Sequence, residues 1–104
     1  FAQGDPGADF IPAYAALVKS VRQRYPAATI VCTAGPMLEP PLHRVLVHYV
    51  ESAVAAVHDP KVTFLELMPV DRSNGLGCDY HPNQASQAKM ASTLAVHLEK
   101  QLAW

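Results

Sequence analysis

Apolar side chains recur at helical spacing through Ile11, Tyr14, Leu17, Val18 and Val21, while Lys19, Arg22 and Arg24 fall on other faces, which predicts an amphipathic first helix. Asp9 stands where an N-cap belongs, Pro12 falls in the first turn where a missing N–H costs little, and Pro26 follows the end. The β-branched run Thr29-Ile30-Val31-Cys32-Thr33 has apolar residues at consecutive positions, the signature of a strand covered on both faces. After the loop punctuation of Gly35-Pro36-Met37-Leu38-Glu39-Pro40-Pro41, a second amphipathic helix runs through Leu42, Val45, Leu46, Tyr49, Val50, Ala53 and Val57 and ends near His58-Asp59-Pro60. Val62-Thr63-Phe64-Leu65-Glu66-Leu67 predicts a second strand, residues 69–80 a long loop, and Met90, Ala91, Leu94, Leu98 and Leu102 a final helix.

Strands alternating with helices imply right-handed crossovers and a doubly wound α/β sheet of parallel strands. Two strands do not make such a sheet: each would keep an exposed edge and the helices would lack a surface to cover, so further strands are expected from another segment or chain. In folds of this class the site lies beyond the carboxyl ends of the strands, which is where the loops after Thr33 and Leu67 fall. Length agrees, since 104 residues, half of them apolar, suffice for one small domain or a part of one.

Charge narrows the partners. A net charge of −1 with no Lys/Arg cluster leaves no electrostatic footprint for nucleic acid or an anionic membrane, and no apolar run approaches the roughly 18 residues of a membrane span. The start Phe1-Ala2-Gln3-Gly4-Asp5 has neither the basic nor the apolar region of a signal peptide and no initiator methionine, so the chain reads as a processed product or internal fragment.

The chemistry concentrates in Gly77-Cys78-Asp79-Tyr80-His81-Pro82-Asn83. An imidazole, with an ordinary pKa near 6.5, takes a proton from a hydroxyl and returns it to a leaving group when a third group fixes its tautomer. In an extended Asp-x-His segment the two side chains share a side, so Asp79 can reach Nδ1 of His81 and leave Nε2 for a nucleophile. Pro82 biases His81 toward extended backbone and Asn83 is a good N-cap; the plainer reading of His-Pro-Asn is an ordinary helix entry. Ser20, Ser52, Ser73, Ser86 and Ser92 sit in no strained strand-to-helix elbow, so the chain itself offers no nucleophile. His43, His48, His58 and His97 fall on or at the ends of helices, with surface or helix-end roles as the default, and no set of His and Cys makes a zinc site. Cys32 and Cys78 lack Cys-x-x-Cys spacing; a disulfide pinning the loop to the strand end and an unrelated pair of free thiols both fit the placement, with the bridge preferred.

The block at 77–83, followed by a Gln/Ala/Ser-rich helix start with Lys89-Met90-Ala91, resembles the C-terminal catalytic block of the SGNH (GDSL-type) hydrolases, above all carbohydrate esterase family 2, the acetyl-xylan esterase-like deacetylases. Many SGNH hydrolases space the pair as Asp-x-x-His; this chain has Asp-x-His, which favours the narrower family. The series Phe1-Ala2-Gln3-Gly4-Asp5-Pro6, Phe10, Tyr14, Tyr25-Pro26, Ile30-Val31-Cys32 and Gly35-Pro36-Met37 is similar to the second half of that family. The resemblance implies that residues 1–104 form the C-terminal half of one three-layer, flavodoxin-like α/β/α domain of an exported (secreted or periplasmic) carbohydrate acetylesterase. It assigns His81 and Asp79 to the catalytic site, with Gly35, Pro36, Met37 and Tyr80 walling the substrate pocket. The Gly-Asp-Ser-type nucleophile block and the Gly-Thr-Asn-Asp block with its oxyanion-hole Asn are absent here, and would come from the N-terminal half as a covalent precursor or companion chain. The implied substrate is an acetylated carbohydrate, with no metal or organic cofactor. Two other classes stay open: a non-catalytic carbohydrate-binding or scaffolding protein of the same fold, and a lipid or thioester acyl hydrolase of the wider group.

Overall fold

In the computed structural model, which describes residues 4–104, three helices and two strands alternate: α1 (Phe10–Arg24), β1 (Ile30–Ala34), α2 (Leu42–Val57), β2 (Val62–Glu66) and α3 (Gln84–Leu102). Short 3₁₀ turns occupy Gly7–Asp9, Arg72–Asn74 and Cys78–Tyr80. The elements follow the expected order, with β1 shifted one residue along, to end at Ala34, and β2 ending at Glu66. The segment Phe1-Ala2-Gln3, which carries part of the resemblance, lies outside the described residues.

The two strands pair in parallel, in register from Ile30 opposite Val62 to Ala34 opposite Glu66. Side chains alternate along each strand, so Ile30, Cys32, Ala34, Val62, Phe64 and Glu66 share one face. That face meets α1 and α2: Val18, Cys32, Val50 and Val62 form the buried core, with Phe10, Tyr14, Leu46 and Val57 packed against it. The opposite face carries Val31, Thr33, Thr63 and Leu65. There His97 of α3 meets the Thr63 hydroxyl at 2.8 Å, so α3 lies across the sheet from α1 and α2 and three layers result. No residue of α3 is buried, and Leu94 and Val96 stand exposed. No helix among the described residues is long and apolar enough to cross a membrane.

The helix ends follow local chemistry. Asn83, in extended backbone, accepts from the Ser86 N–H at 3.0 Å and caps α3 as expected. Asp9 does not cap α1: the preceding 3₁₀ turn keeps it helical (φ −71°, ψ −19°), whereas a capping side chain needs extended backbone, and it makes no capping bond. His58 closes α2 in the left-handed conformation.

At the amino ends of the strands one side chain fastens three segments. Arg22 Nε donates to Asp59 Oδ2 at 2.7 Å, and its Nη1 donates to the carbonyls of Tyr25, Pro26 and Ala28 at 3.0, 3.2 and 2.6 Å. Asp59 also accepts from the Lys61 N–H at 2.9 Å. The Arg22 hydrogen bond, helped by that N–H, holds the Asp59 carboxyl below its ordinary 3.8. A lowered folded-state pKa contributes stability that is present above the unfolded value and lost as pH falls through the folded one. Asp59→Asn is therefore expected to lower the urea midpoint at pH 7, and the gap from wild type is expected to close on acidification below about pH 4. A gap that stays constant between pH 7 and pH 3 would contradict the linkage.

Candidate functional site

The loop between β2 and α3 is built from nested hydrogen bonds. The Asp71 carboxylate organises the first turn, accepting from the Ser73 N–H at 2.9 Å, the Ser73 hydroxyl at 2.6 Å and Asn74 Nδ2 at 2.9 Å. These bonds, those from Ser73 first, hold its carboxyl below the usual carboxylate range. Farther on, Leu76 and Pro82 form an antiparallel bridge, and inside it the Gly77 N–H donates to the His81 carbonyl at 2.8 Å. Glycine at 77 keeps this closure tight: a Cβ there would stand 3.3 Å from the His81 carbonyl oxygen and 3.4 Å from that of Pro82, so the main chain would have to give by a few tenths of an ångström. The tip is the Cys78–Tyr80 turn, with Asp79 and Tyr80 at φ 51° and 60°. His81 then returns to extended backbone, as a residue before proline should.

This geometry decides how the imidazole is held. Nδ1 of His81 lies 3.2 Å from the Cys78 carbonyl oxygen and 3.0 Å from that of Asp79. Carbonyl oxygens only accept, so Nδ1 carries the hydrogen and Nε2 is left as the lone-pair nitrogen, the tautomer of a general base. The Asp79 carboxylate does not make the contact expected of it. That expectation needed extended backbone from 79 to 81, and two successive left-handed residues turn the Asp79 main chain, rather than its side chain, toward the ring.

The other expected site residues are dispersed. Gly35, Pro36 and Met37 follow β1 at the carboxyl edge, where the Pro36 carbonyl accepts from the Val70 N–H at 3.1 Å. Pro36 lines a cavity of about 300 Å³ with Glu66, Met68, Asp71, Lys89 and Met90; Gly35, Met37, Tyr80 and His81 do not line it. Met37 and Tyr80 are exposed. The preferred disulfide is not formed: Cys32 and Cys78 are both free, the first buried and the second exposed. Strand alternation turns Cys32 into the α1/α2 core, where its thiol is hydrogen-bonded to Tyr14, while Cys78 sits on the loop outside. Burial pushes the Cys32 thiol up, and burial first, then Cys32, pushes the Tyr14 phenol up to about 12.

Sequence reasoning missed His43. It is buried, not at the surface, and its Nε2 lies 3.0 Å from Glu66 Oε1 while Nδ1 has no partner. The signal was present, because His43 stands on the same stripe as Leu46, Val50, Ala53 and Val57, at i+3, i+7, i+10 and i+14. His97 likewise points inward, to Thr63. No group of three or more His, Cys, Asp or Glu able to hold a metal occurs among the described residues.

No family model matches the chain. The cellulase/esterase CelE of Acetivibrio thermocellus is 37% identical over 98 residues, which cover 91% of this chain and 12% of CelE. A family two carbohydrate esterase from Clostridium thermocellum, solved in complex with cellohexaose, is 37% identical and superposes with a TM-score of 0.78 over 90% of this chain and 30% of its own. A family two carbohydrate esterase from Cellvibrio japonicus is 28% identical with a TM-score of 0.88, covering 100% of this chain and 30% of its own. The chain thus spans less than a third of the solved relatives and about an eighth of the curated one.

The thiols give a direct check on the site loop. Alkylation of the native protein without reductant is expected to label Cys78 rapidly and Cys32 only after unfolding, read by peptide mass spectrometry. Protection of both until a reductant is added would restore the bridge.

Proposed function

We propose that this chain, similar in sequence and in α/β fold to a segment of the family two carbohydrate esterases, supplies the general base of a serine esterase that removes acetyl groups from carbohydrate. The observation that carries the reading is the loop at 77–83, in which two backbone carbonyls hold Nδ1 of His81 and present Nε2. A serine from the N-terminal half of the domain attacks the acetyl carbonyl as His81 Nε2 takes its proton. The tetrahedral intermediate collapses with that proton passing to the departing sugar oxygen, and His81 then activates water to release acetate. The imidazolium formed on the way gains from the carbonyls of Cys78 and Asp79, which accept a stronger hydrogen bond from the charged ring. Donors from the other half stabilise the oxyanion, and no cofactor enters. Residues 1–104 are then the C-terminal half of one exported domain, and the open edges of the two-stranded sheet are where the other half adds its strands.

In the full-length protein, acetate release from an acetylated oligosaccharide is expected to fall about 10³-fold in His81→Ala. Where a carboxylate orients the imidazole, its Asn replacement costs roughly 10⁴-fold. With carbonyls in that place, Asp79→Asn is expected to lose no more than about tenfold, since Asn also tolerates left-handed backbone. A wild-type preference for long-chain acyl esters would favour a lipid acyl hydrolase. Sugar binding without hydrolysis would favour the non-catalytic class.

A further inference from the structure

We infer that Asn83 is a positioning residue for His81, a role separate from its capping of α3 and one that rests on the proposed function. A primary amide has one acceptor oxygen and two N–H donors, and Asn83 uses all of them. Oδ1 accepts from the Ser86 N–H at 3.0 Å, and Nδ2 donates to the carbonyls of Asn74 and Gly75 at 2.7 and 3.0 Å. Two carbonyls on one side and an N–H on the other admit only one orientation of the amide.

The two donations close the loop that bears the imidazole. Within the span from 75 to 83 lie the Leu76–Pro82 bridge and the Gly77–His81 hydrogen bond, so Asn83 is the outermost of three nested closures around Cys78-Asp79-Tyr80-His81. The clasp also has an anchor. Asn74, whose carbonyl takes the shorter bond, is fixed through its own amide to Asp71, in the turn that follows β2. A continuous path of hydrogen bonds therefore runs from the post-β2 turn through Asn83 to the start of α3. Two left-handed non-glycine residues sit inside the closure, a conformation that persists only where its surroundings over-determine it. Releasing the outer clasp lets the turn relax and withdraws the Cys78 and Asp79 carbonyls from Nδ1.

Capping and clasping are separable by substitution. Ser, Asp and Asn cap helices about equally well, but neither Ser nor Asp has an amide donor. Asn83→Ser keeps a cap and loses the clasp; Asn83→Asp keeps the cap and sets a carboxylate against two carbonyl oxygens. Studied in the full-length protein, both variants are expected to keep the far-ultraviolet spectrum of wild type and a KM within about twofold, while kcat falls about tenfold or more, the scale expected when two hydrogen bonds are lost. The ¹⁵N shifts of the His81 ring are expected to show the Nδ1–H tautomer in wild type and a mixture of tautomers in both variants. Unchanged kcat with an unchanged tautomer would reduce Asn83 to a cap and overturn the inference, as would a wild-type His81 that is not in the Nδ1–H form, a measurement that needs no variant to fold. The ring-nitrogen readout decides the clasp even where wild type cleaves no ester, a result that would overturn the functional reading alone.

Discussion

Parallel pairing of β1 with β2 is the constraint from which the rest follows. Parallel neighbours cannot be joined by a tight turn, so the chain must cross back over one face, and α2 is that crossover. The apolar stripe of α2 packs beside α1 on the face holding Cys32, Val62 and Phe64. The same pairing brings both strand ends to one edge, where main-chain bonds fasten the outgoing loops: the Leu67 N–H to the Ala34 carbonyl and the Val70 N–H to the Pro36 carbonyl, each at 3.1 Å. Arg72 and Glu39 join the loops again at 2.8 Å, although so exposed a pair adds little stability. The strong fastening lies at the far end, where Arg22 gathers Asp59 and three carbonyls. A rigid end and a loop-bearing end are how an α/β unit separates stability from chemistry.

At the loop-bearing end, backbone geometry sets the chemistry. A carboxylate partner for an imidazole needs its own side chain aimed and partly desolvated, whereas a carbonyl partner needs only the turn that carries it. The Cys78–Tyr80 turn accepts the cost of positive φ at two positions and in return points two carbonyls at one ring nitrogen. The first of the two is Asp, among the residues that enter this conformation most readily, because a short polar side chain bonds locally. An Asp two residues before His81 therefore suits the turn by its backbone preference.

The elements were legible because each carries a periodicity that survives in any packing: the α2 stripe, the β-branched runs at Ile30 and Val62, and the Asn83 cap are local signals. The candidate loop was legible as a segment and less so as an arrangement. His-Pro-Asn located the candidate base, but the direction in which Asp79 faces depends on φ at residues 79 and 80, which an Asp favours only weakly and a Tyr does not signal at all. Cys32 and Cys78 fall at the same edge in sequence terms, yet strand alternation buries one and the loop exposes the other. His43 was misjudged because residue type outweighed position; it lies on the buried stripe and meets the one carboxylate that β2 turns toward α2.

The helix that follows the site repays the same scrutiny. Met90, Leu94, Leu98 and Leu102 make a coherent apolar stripe on α3, yet none is buried, and the sheet face carrying Val31, Thr33, Thr63 and Leu65 meets α3 through the His97–Thr63 bond. An apolar stripe costs solubility unless something covers it, and a two-stranded sheet has an open edge on each strand. On the proposed function the chemistry is short of a partner in the same way, since a general base without a nucleophile turns nothing over. One supplement answers both needs. Strands added to the sheet would cover α3 and carry their own carboxyl-end loops to the edge where His81 stands, which is where the proposed reaction needs its nucleophile.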